Sequence, residues 1–274
     1  MEVREARGVS MPVPGFGTWQ LEGDEARKMT EEALEMGYRH LDAAEMYGNE
    51  EEVGEGWRAS GLDRTEIFIT SKVLPGHYGP ADFRVSAEGI LERLQTDYLD
   101  LLLIHWPVFE GTTLDAAIER LNALHEEGLT RFIGVSNFTV RLLDQAWTAT
   151  TYPLVVNQVE YHPFLDQSPL RQAMEERDMI LTAYSPVAQG RTVRNPILKK
   201  IGEAYGKTGA QVSLRWLVQQ GAVPLPRSSK PEHARDNLDI FDFELTTEEM
   251  EKIHGLHEPD GRILNPGGLA PEWD

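Results

Sequence analysis

Short apolar runs alternate along the chain with longer segments in which apolar residues recur every three or four positions. The short runs read as strands: residues 38–44 (YRHLDAA), 66–73 (EIFITSKV), 98–106 (YLDLLLIHW), 131–138 (RFIGVSNF), 154–161 (LVVNQVEY), 179–186 (MILTAYSP) and 222–228 (AVPLPRS). A further short strand fits 13–19 (VPGFGTW). Between them, residues 24–37, 51–61, 81–95, 114–128, 139–150, 169–178 and 195–221 place charges between spaced apolar residues, as surface helices do. Many of these segments close on glycine or a polar turn, the usual end of a helix. A unit of one strand and one helix, repeated along about 250 residues, is the size of a (β/α)8 barrel. No linker or break in composition divides the chain. The pattern therefore predicts an α/β protein, a single (β/α)8 TIM barrel domain over residues 1–274, with a short N-terminal hairpin and a short C-terminal tail. A doubly wound sheet would carry a glycine-rich fingerprint after an early strand, and residues 15–20 (GFGTWQ) offer only its first two glycines.

Composition narrows the chemistry. Asp and Glu number 45 against 26 Lys and Arg, a net charge of −19. Such a surface repels phosphate backbones and anionic membranes, so neither nucleic acid nor membrane is an expected partner. A small anion held in a local basic pocket remains compatible with it. The chain has no cysteine, which removes disulfides, zinc–thiolate sites, iron–sulfur clusters and thiol nucleophiles. No metal ligand set is expected: HExxH and EF-hand patterns are absent, and so is a Walker loop. The N-terminus shows no apolar segment after a basic start, and the longest apolar run is too short to span a bilayer, so a cytoplasmic location is expected. The sequon at Asn137 is discounted on the same grounds.

Catalytic residues of a barrel collect at the C-terminal ends of its strands. Those ends carry, in order, Asp42, Lys72, His105, Asn137, Gln158, Tyr184 and Arg227. Taken singly they are ordinary: a turn acid, a snorkelling lysine, a core histidine. An acid, an amine and an imidazole on three successive strands, with Tyr47 in the first loop, are not explained by stability alone. A tyrosine is a poor acid at neutral pH, with an unperturbed pKa of about 10. Lys72, kept charged by Asp42, would lower that value by favouring the phenolate. His105 would donate to a substrate oxygen. The set predicts a general acid and oxyanion site for a carbonyl becoming an alkoxide.

Several longer motifs carry a resemblance. GYRHLDAAEMYGNEEEVGEG, ITSKV, DYLDLLLIHWP, IGVSNF, NQVEYHP, AYSPVAQG, VPLPRSSKPEHARDNL and FDFELTTEEM together resemble the aldo-keto reductase family over essentially the whole length, near its bacterial 2,5-diketo-D-gluconate reductases. The resemblance implies a (β/α)8 barrel using NADPH without a Rossmann motif. It implies Asp42, Tyr47, Lys72 and His105 as the catalytic tetrad, with Tyr47 the proton donor and hydride arriving from nicotinamide C4. It further implies Ser136, Asn137 and Gln158 on the carboxamide, Tyr184 stacked on the nicotinamide ring, and Ser185, Pro186, Val187 and Gln189 along the pyrophosphate. Gly17, Thr18 and Trp19 join that cradle. Leu225, Pro226, Arg227, Ser228, Ser229, His233, Asp236 and Asn237 form its adenosine end. A small carbonyl substrate and a monomer are the expected partners and state.

The chain departs from the family at two places. His233 stands where an arginine commonly grips the 2′-phosphate of NADPH, and a neutral imidazole cannot supply a guanidinium's charged fork. NADPH use with weakened preference, and NADH use beside it, is the expectation. Trp19, Tyr47, His105 and Trp106 would wall the substrate pocket, but Leu74 occupies the place of a further tryptophan. With a short tail as well, an open and shallow site for aldehydes, 2-oxoaldehydes and activated ketones is expected. Two rivals stand beside this reading. One is a non-catalytic, cofactor-sensing relative, which the intact tetrad argues against. The other makes Lys72 a Schiff-base lysine, although Asp42 beside it would keep the amine protonated and unreactive.

Overall fold

The computed structural model describes residues 2–274. A two-stranded antiparallel hairpin, β1 (Glu2–Ala6) and β2 (Val9–Val13), precedes the barrel. Eight parallel strands follow: β3 (Phe16–Gly17), β4 (His40–Asp42), β5 (Phe68–Val73), β6 (Leu99–Ile104), β7 (Thr130–Ser136), β8 (Leu154–Glu160), β9 (Ile180–Tyr184) and β10 (Val223–Pro224). Each pairs with its sequence neighbour, so the sheet runs in chain order from β3 to β10. The two edges then meet. Gly17 bridges Arg227 in parallel, and the N–H groups of Gly15 and Gly17 donate to the carbonyls of Pro224 and Pro226 at 3.1 Å. A Cβ on Gly17 would lie 3.1 Å from the Leu225 carbonyl, so this seam needs a small residue. The chain thus forms the predicted (β/α)8 barrel with its N-terminal hairpin.

The outer helices are α1 (Gly23–Met36), α2 (Glu50–Ala59), α3 (Phe83–Arg93), α4 (Leu114–Glu126), α5 (Val140–Ala149), α6 (Ser168–Glu175), α7 (Arg191–Arg194), α8 (Pro196–Tyr205), α9 (Gly209–Gln219), α10 (Pro231–Leu238) and α11 (Thr247–His254). Their apolar stripes face the barrel; α1 buries Ala26, Met29, Ala33 and Leu34. A second apolar cluster fills the N-terminal end of the barrel. There Val9, Met11 and Val13 of the hairpin pack on Leu101, Leu103, Val155 and Val156, so the hairpin acts as a plug. The opposite end is left for polar side chains.

Three details differ from the sequence pattern. Residues 195–221 form two helices, because Gly206 ends α8 at a φ of 68° and Thr208 starts α9 in a capping box with Gln211. The strand predicted at 222–228 shrinks to two residues, since Pro224 and Pro226 bring no N–H to a ladder. Helices α7, α10 and α11 are short and bury few side chains, too few to show a period.

Candidate active site

Asp42 ends β4 as the last residue of a fully buried three-residue strand. Its backbone carbonyl accepts from both the N–H and the hydroxyl of Thr18, at 3.1 and 2.9 Å. Thr18, expected in the cofactor cradle, is therefore a buried support for Asp42. On the next strand Lys72 is wholly buried, and its Nζ donates to Asp42 Oδ1 at 2.8 Å, to the Ala43 carbonyl at 2.8 Å and to Tyr47 Oη at 3.1 Å. An ammonium has three protons, and all three are used. Asp42 Oδ2 accepts from Gln158 Nε2 at 2.7 Å, which links β8 into the same network. The Tyr47 and His105 rings meet edge to face, 5.8 Å between centroids.

Burial opposes the Lys72 charge, but Asp42 and Tyr47 outweigh it and hold the ammonium above the ordinary lysine value. For Tyr47 the outcome is the reverse of the lowering anticipated from the sequence. Burial is the largest influence and raises the hydroxyl above its ordinary value, while Lys72 pulls it down by less. The site holds Tyr47 protonated. Burial, then the Lys72 charge, push His105 well below the ordinary imidazole value, so the ring is neutral at pH 7.

Two residues that the sequence did not single out set this geometry. Tyr78 Oη accepts from the backbone N–H of His105 (3.0 Å) and of Trp106 (3.1 Å) and donates to the Trp106 carbonyl (3.0 Å). Glu45 opens the 3-10 turn Glu45–Tyr47 and accepts from the Leu74 N–H at 3.0 Å and from Ser86 Oγ at 2.6 Å. Glu45 thereby pins the turn that delivers Tyr47 to β5 and α3. The only sequence signal for either was proximity to a strand end.

A cavity of about 830 Å³ opens over the C-terminal ends of the strands. Of the expected residues it is lined by Gly17, Trp19, Asp42, Tyr47, His105, Trp106, Ser136, Asn137, Gln158, Tyr184, Ser185, Pro186, Val187, Gln189, Leu225 and Arg227. Lys72 lies beneath its floor. Leu74 is outside the lining. Pro226, Ser228, Ser229, His233, Asp236 and Asn237 also lie outside it, before or along α10. The tail, expected to leave this face without a wall, joins the lining instead. Ile263, Leu264, Asn265, Pro266 and Leu269 of the tail supply one wall.

The lining suits an amide-bearing aromatic group. Gln158 spends its NH2 on Asp42, and no described residue donates to its Oε1, which is left to accept. Tyr184 Oη donates to Asn137 Oδ1 at 2.7 Å, which fixes its ring against the cavity. Ser185, Ala188 and Gln189 adopt left-handed φ angles of 51°, 48° and 51° beside this wall, strain of a kind that clusters at ligand sites. Arg227 lines the cavity at the barrel seam. Its guanidinium donates to the carbonyls of Trp19 (3.2 Å) and Gln20 (2.7 Å).

The profile of the aldo/keto reductase family matches residues 15–258. The chain belongs to the aldo/keto reductase family. It is 42% identical to a glyoxal reductase of Bacillus subtilis, over 97% of this chain and 96% of that one. It is 41% identical to an aldo-keto reductase of Mycolicibacterium smegmatis, over 94% of this chain and 90% of that one. Among solved structures, that of a candidate 2,5-diketo-D-gluconic acid reductase B superposes with a TM-score of 0.98 at 42% identity, covering 100% of this chain and 98% of the other. The aldose reductase of Schistosoma japonicum superposes with a TM-score of 0.90 at 32% identity, covering 95% and 94%. As an aldo-keto reductase the chain is an oxidoreductase acting on carbonyls. Among the described residues, no helix is long and apolar enough to cross a membrane, and no group of three acidic, His or Cys side chains could hold a metal ion.

Proposed function

We propose that this aldo-keto reductase reduces small aldehydes, 2-oxoaldehydes and activated ketones with NADPH, and with NADH as a second donor. The observation that carries the reading is the Lys72 ammonium bonded at once to Asp42 and to Tyr47 Oη, beside His105, under the cavity floor. The dihydronicotinamide, when bound, supplies a hydride to the carbonyl carbon. The chain's own residues handle the oxygen. Tyr47 Oη gives its proton to the oxygen as charge develops there, completing the alcohol. Lys72, 3.1 Å away, stabilises the phenolate left behind, and Asp42 keeps Lys72 charged. His105 Nδ1 is buried without a partner. An unpaired acceptor costs less than an unpaired N–H, so the proton sits on Nε2 and is offered to the substrate oxygen. Gln158 Oε1, Asn137 and Ser136 would hold the carboxamide, and the pinned Tyr184 ring would stack on the nicotinamide.

The glyoxal reductase relative supports the small-carbonyl range. NADH use rests on His233, which stands on the exposed face of α10 without a guanidinium's charge. The test is oxidation of NADPH and of NADH by the purified protein with glyoxal, methylglyoxal and a steroid ketone. Turnover of the two aldehydes with both cofactors is the expected result. A preference for the steroid, or no turnover with any of the three, would overturn the reading.

A further inference from the structure

Glu160 closes β8 with a side chain wholly shielded from solvent, two residues past Gln158 and outside the proton-transfer network. It accepts three N–H groups. Ile263 N–H donates to Oε1 at 2.6 Å, Leu264 N–H to Oε2 at 2.8 Å, and His162 Nε2 lies 2.9 Å from Oε1. The Phe164 N–H donates to His162 Nδ1 at 3.3 Å, so Nδ1 carries no proton. The Nε2–H of His162 then points at Glu160. Every one of these contacts is a donor, so both carboxylate oxygens act as acceptors. This is an anion held by three N–H groups in a dry interior, where charge-assisted bonds are strong and an unpaired carboxylate is costly.

The two backbone donors belong to the tail, and both residues wall the cavity. Elsewhere the tail is held by a close approach of Gly261 to the Phe164 carbonyl, by Trp273 Nε1 on Asn265 Oδ1 (2.9 Å), and by Val140 N–H on Asp274 Oδ2 (2.6 Å). Among the described tail contacts, those to Glu160 end on a side chain with no solvent exposure, directly behind the wall. We propose that Glu160 is a positioning residue for substrate selection: its carboxylate clasps the backbone at Ile263–Leu264 and fixes how far the tail encroaches on the cavity. The substrate part of this rests on the carbonyl reductase reading above; the clasp itself does not.

Glu160→Gln keeps the shape but removes the charge and puts an NH2 group against a backbone N–H, so one of the two tail bonds must break. Losing a bond to a charged group corresponds to roughly tenfold or more in an equilibrium. The experiment has two arms. In the wild-type protein, hydrogen exchange is followed at Ile263 and Leu264. Exchange as slow as that of the β8 amides is expected; exchange at the rate of an exposed loop overturns the clasp whatever the variants do. In the second arm, KM and kcat are measured for methylglyoxal and for the bulkier phenylglyoxal, in Glu160→Gln, in Leu264→Ala and in the pair. The expected result for Glu160→Gln is a phenylglyoxal KM changed by about tenfold with methylglyoxal kcat held, and no further change in the pair. A folded Glu160→Gln that lowers kcat equally for both substrates, or alters neither, overturns the proposal. A wild type without turnover would remove the carbonyl reductase reading and leave the exchange arm to decide the clasp.

Discussion

Replacing Lys72 by methionine removes the one cation bonded to both Asp42 and Tyr47 while keeping a side chain of comparable volume. Its side chain has no solvent exposure and that of Asp42 has 5%, so water cannot take over the lost contacts. Three bonds vanish at once, to Asp42 Oδ1, the Ala43 carbonyl and Tyr47 Oη. Asp42 is left with Gln158 Nε2 as its remaining side-chain donor. Removing one partner of a buried ion pair costs about 3–5 kcal/mol, because the survivor stays charged and unpaired. Removing both, in Lys72→Met with Asp42→Leu, should cost less than Lys72→Met alone plus Asp42→Leu alone, by about 2 kcal/mol or more. Urea unfolding of the four proteins at pH 7 reads this directly. The pH matters in a defined direction. The folded-state pKa of Lys72 lies above the ordinary 10.5, so its stabilising share is complete below pH 10.5 and is lost as pH rises through the folded value. Strict additivity of the two single variants, or a Lys72→Met protein within about 1 kcal/mol of wild type, would refute the ion-pair argument.

Two further outcomes follow from buried groups around the network. Burial depresses His40 from 6.5 to about 4, with nearby Asp42 opposing, and burial depresses His105 in the same direction. Both stay neutral in the folded state while the unfolded chain takes up protons, so stability is full above pH 6.5 and falls as pH drops towards 4. His40 alone should contribute about 1.4 kcal/mol of loss per pH unit over that window; unfolding midpoints that stay flat from pH 6.5 to about pH 4 would contradict it. Tyr78→Phe keeps the ring packed near Phe83 and Phe109 but deletes both bonds to the His105 and Trp106 N–H groups. It should lower kcat by roughly ten- to a hundredfold through a misplaced His105, with cofactor affinity unchanged; steady-state kinetics beside cofactor titration checks this, and an unaltered kcat would free His105 from Tyr78.

The barrel was legible because its strands are short apolar runs with polar last residues, a pattern that survives any outer decoration. Asp42, Lys72 and His105 could be read as one set because successive parallel strands must place successive C-terminal ends side by side. Tyr47 was legible only as the tyrosine of the first loop, since nothing local announces that Glu45 will pin its turn. The tail was misread for a physical reason. Residues 263–266 have no period and form no element, and their place is fixed by Glu160, 103 residues upstream of Ile263. A short tail thus became a wall instead of an opening. The direction of the Tyr47 shift was also beyond the sequence. It depends on how far burial exceeds the pull of Lys72, a balance that spacing cannot give.

The central claim is that Tyr47 delivers the proton. Its most direct test is Tyr47→Phe, with methylglyoxal reduction by NADPH measured beside NADPH binding followed by fluorescence quenching. Turnover lost by about a hundredfold or more, with binding unchanged, is the predicted result. A variant that binds NADPH and still reduces methylglyoxal at the wild-type rate would contradict the assignment.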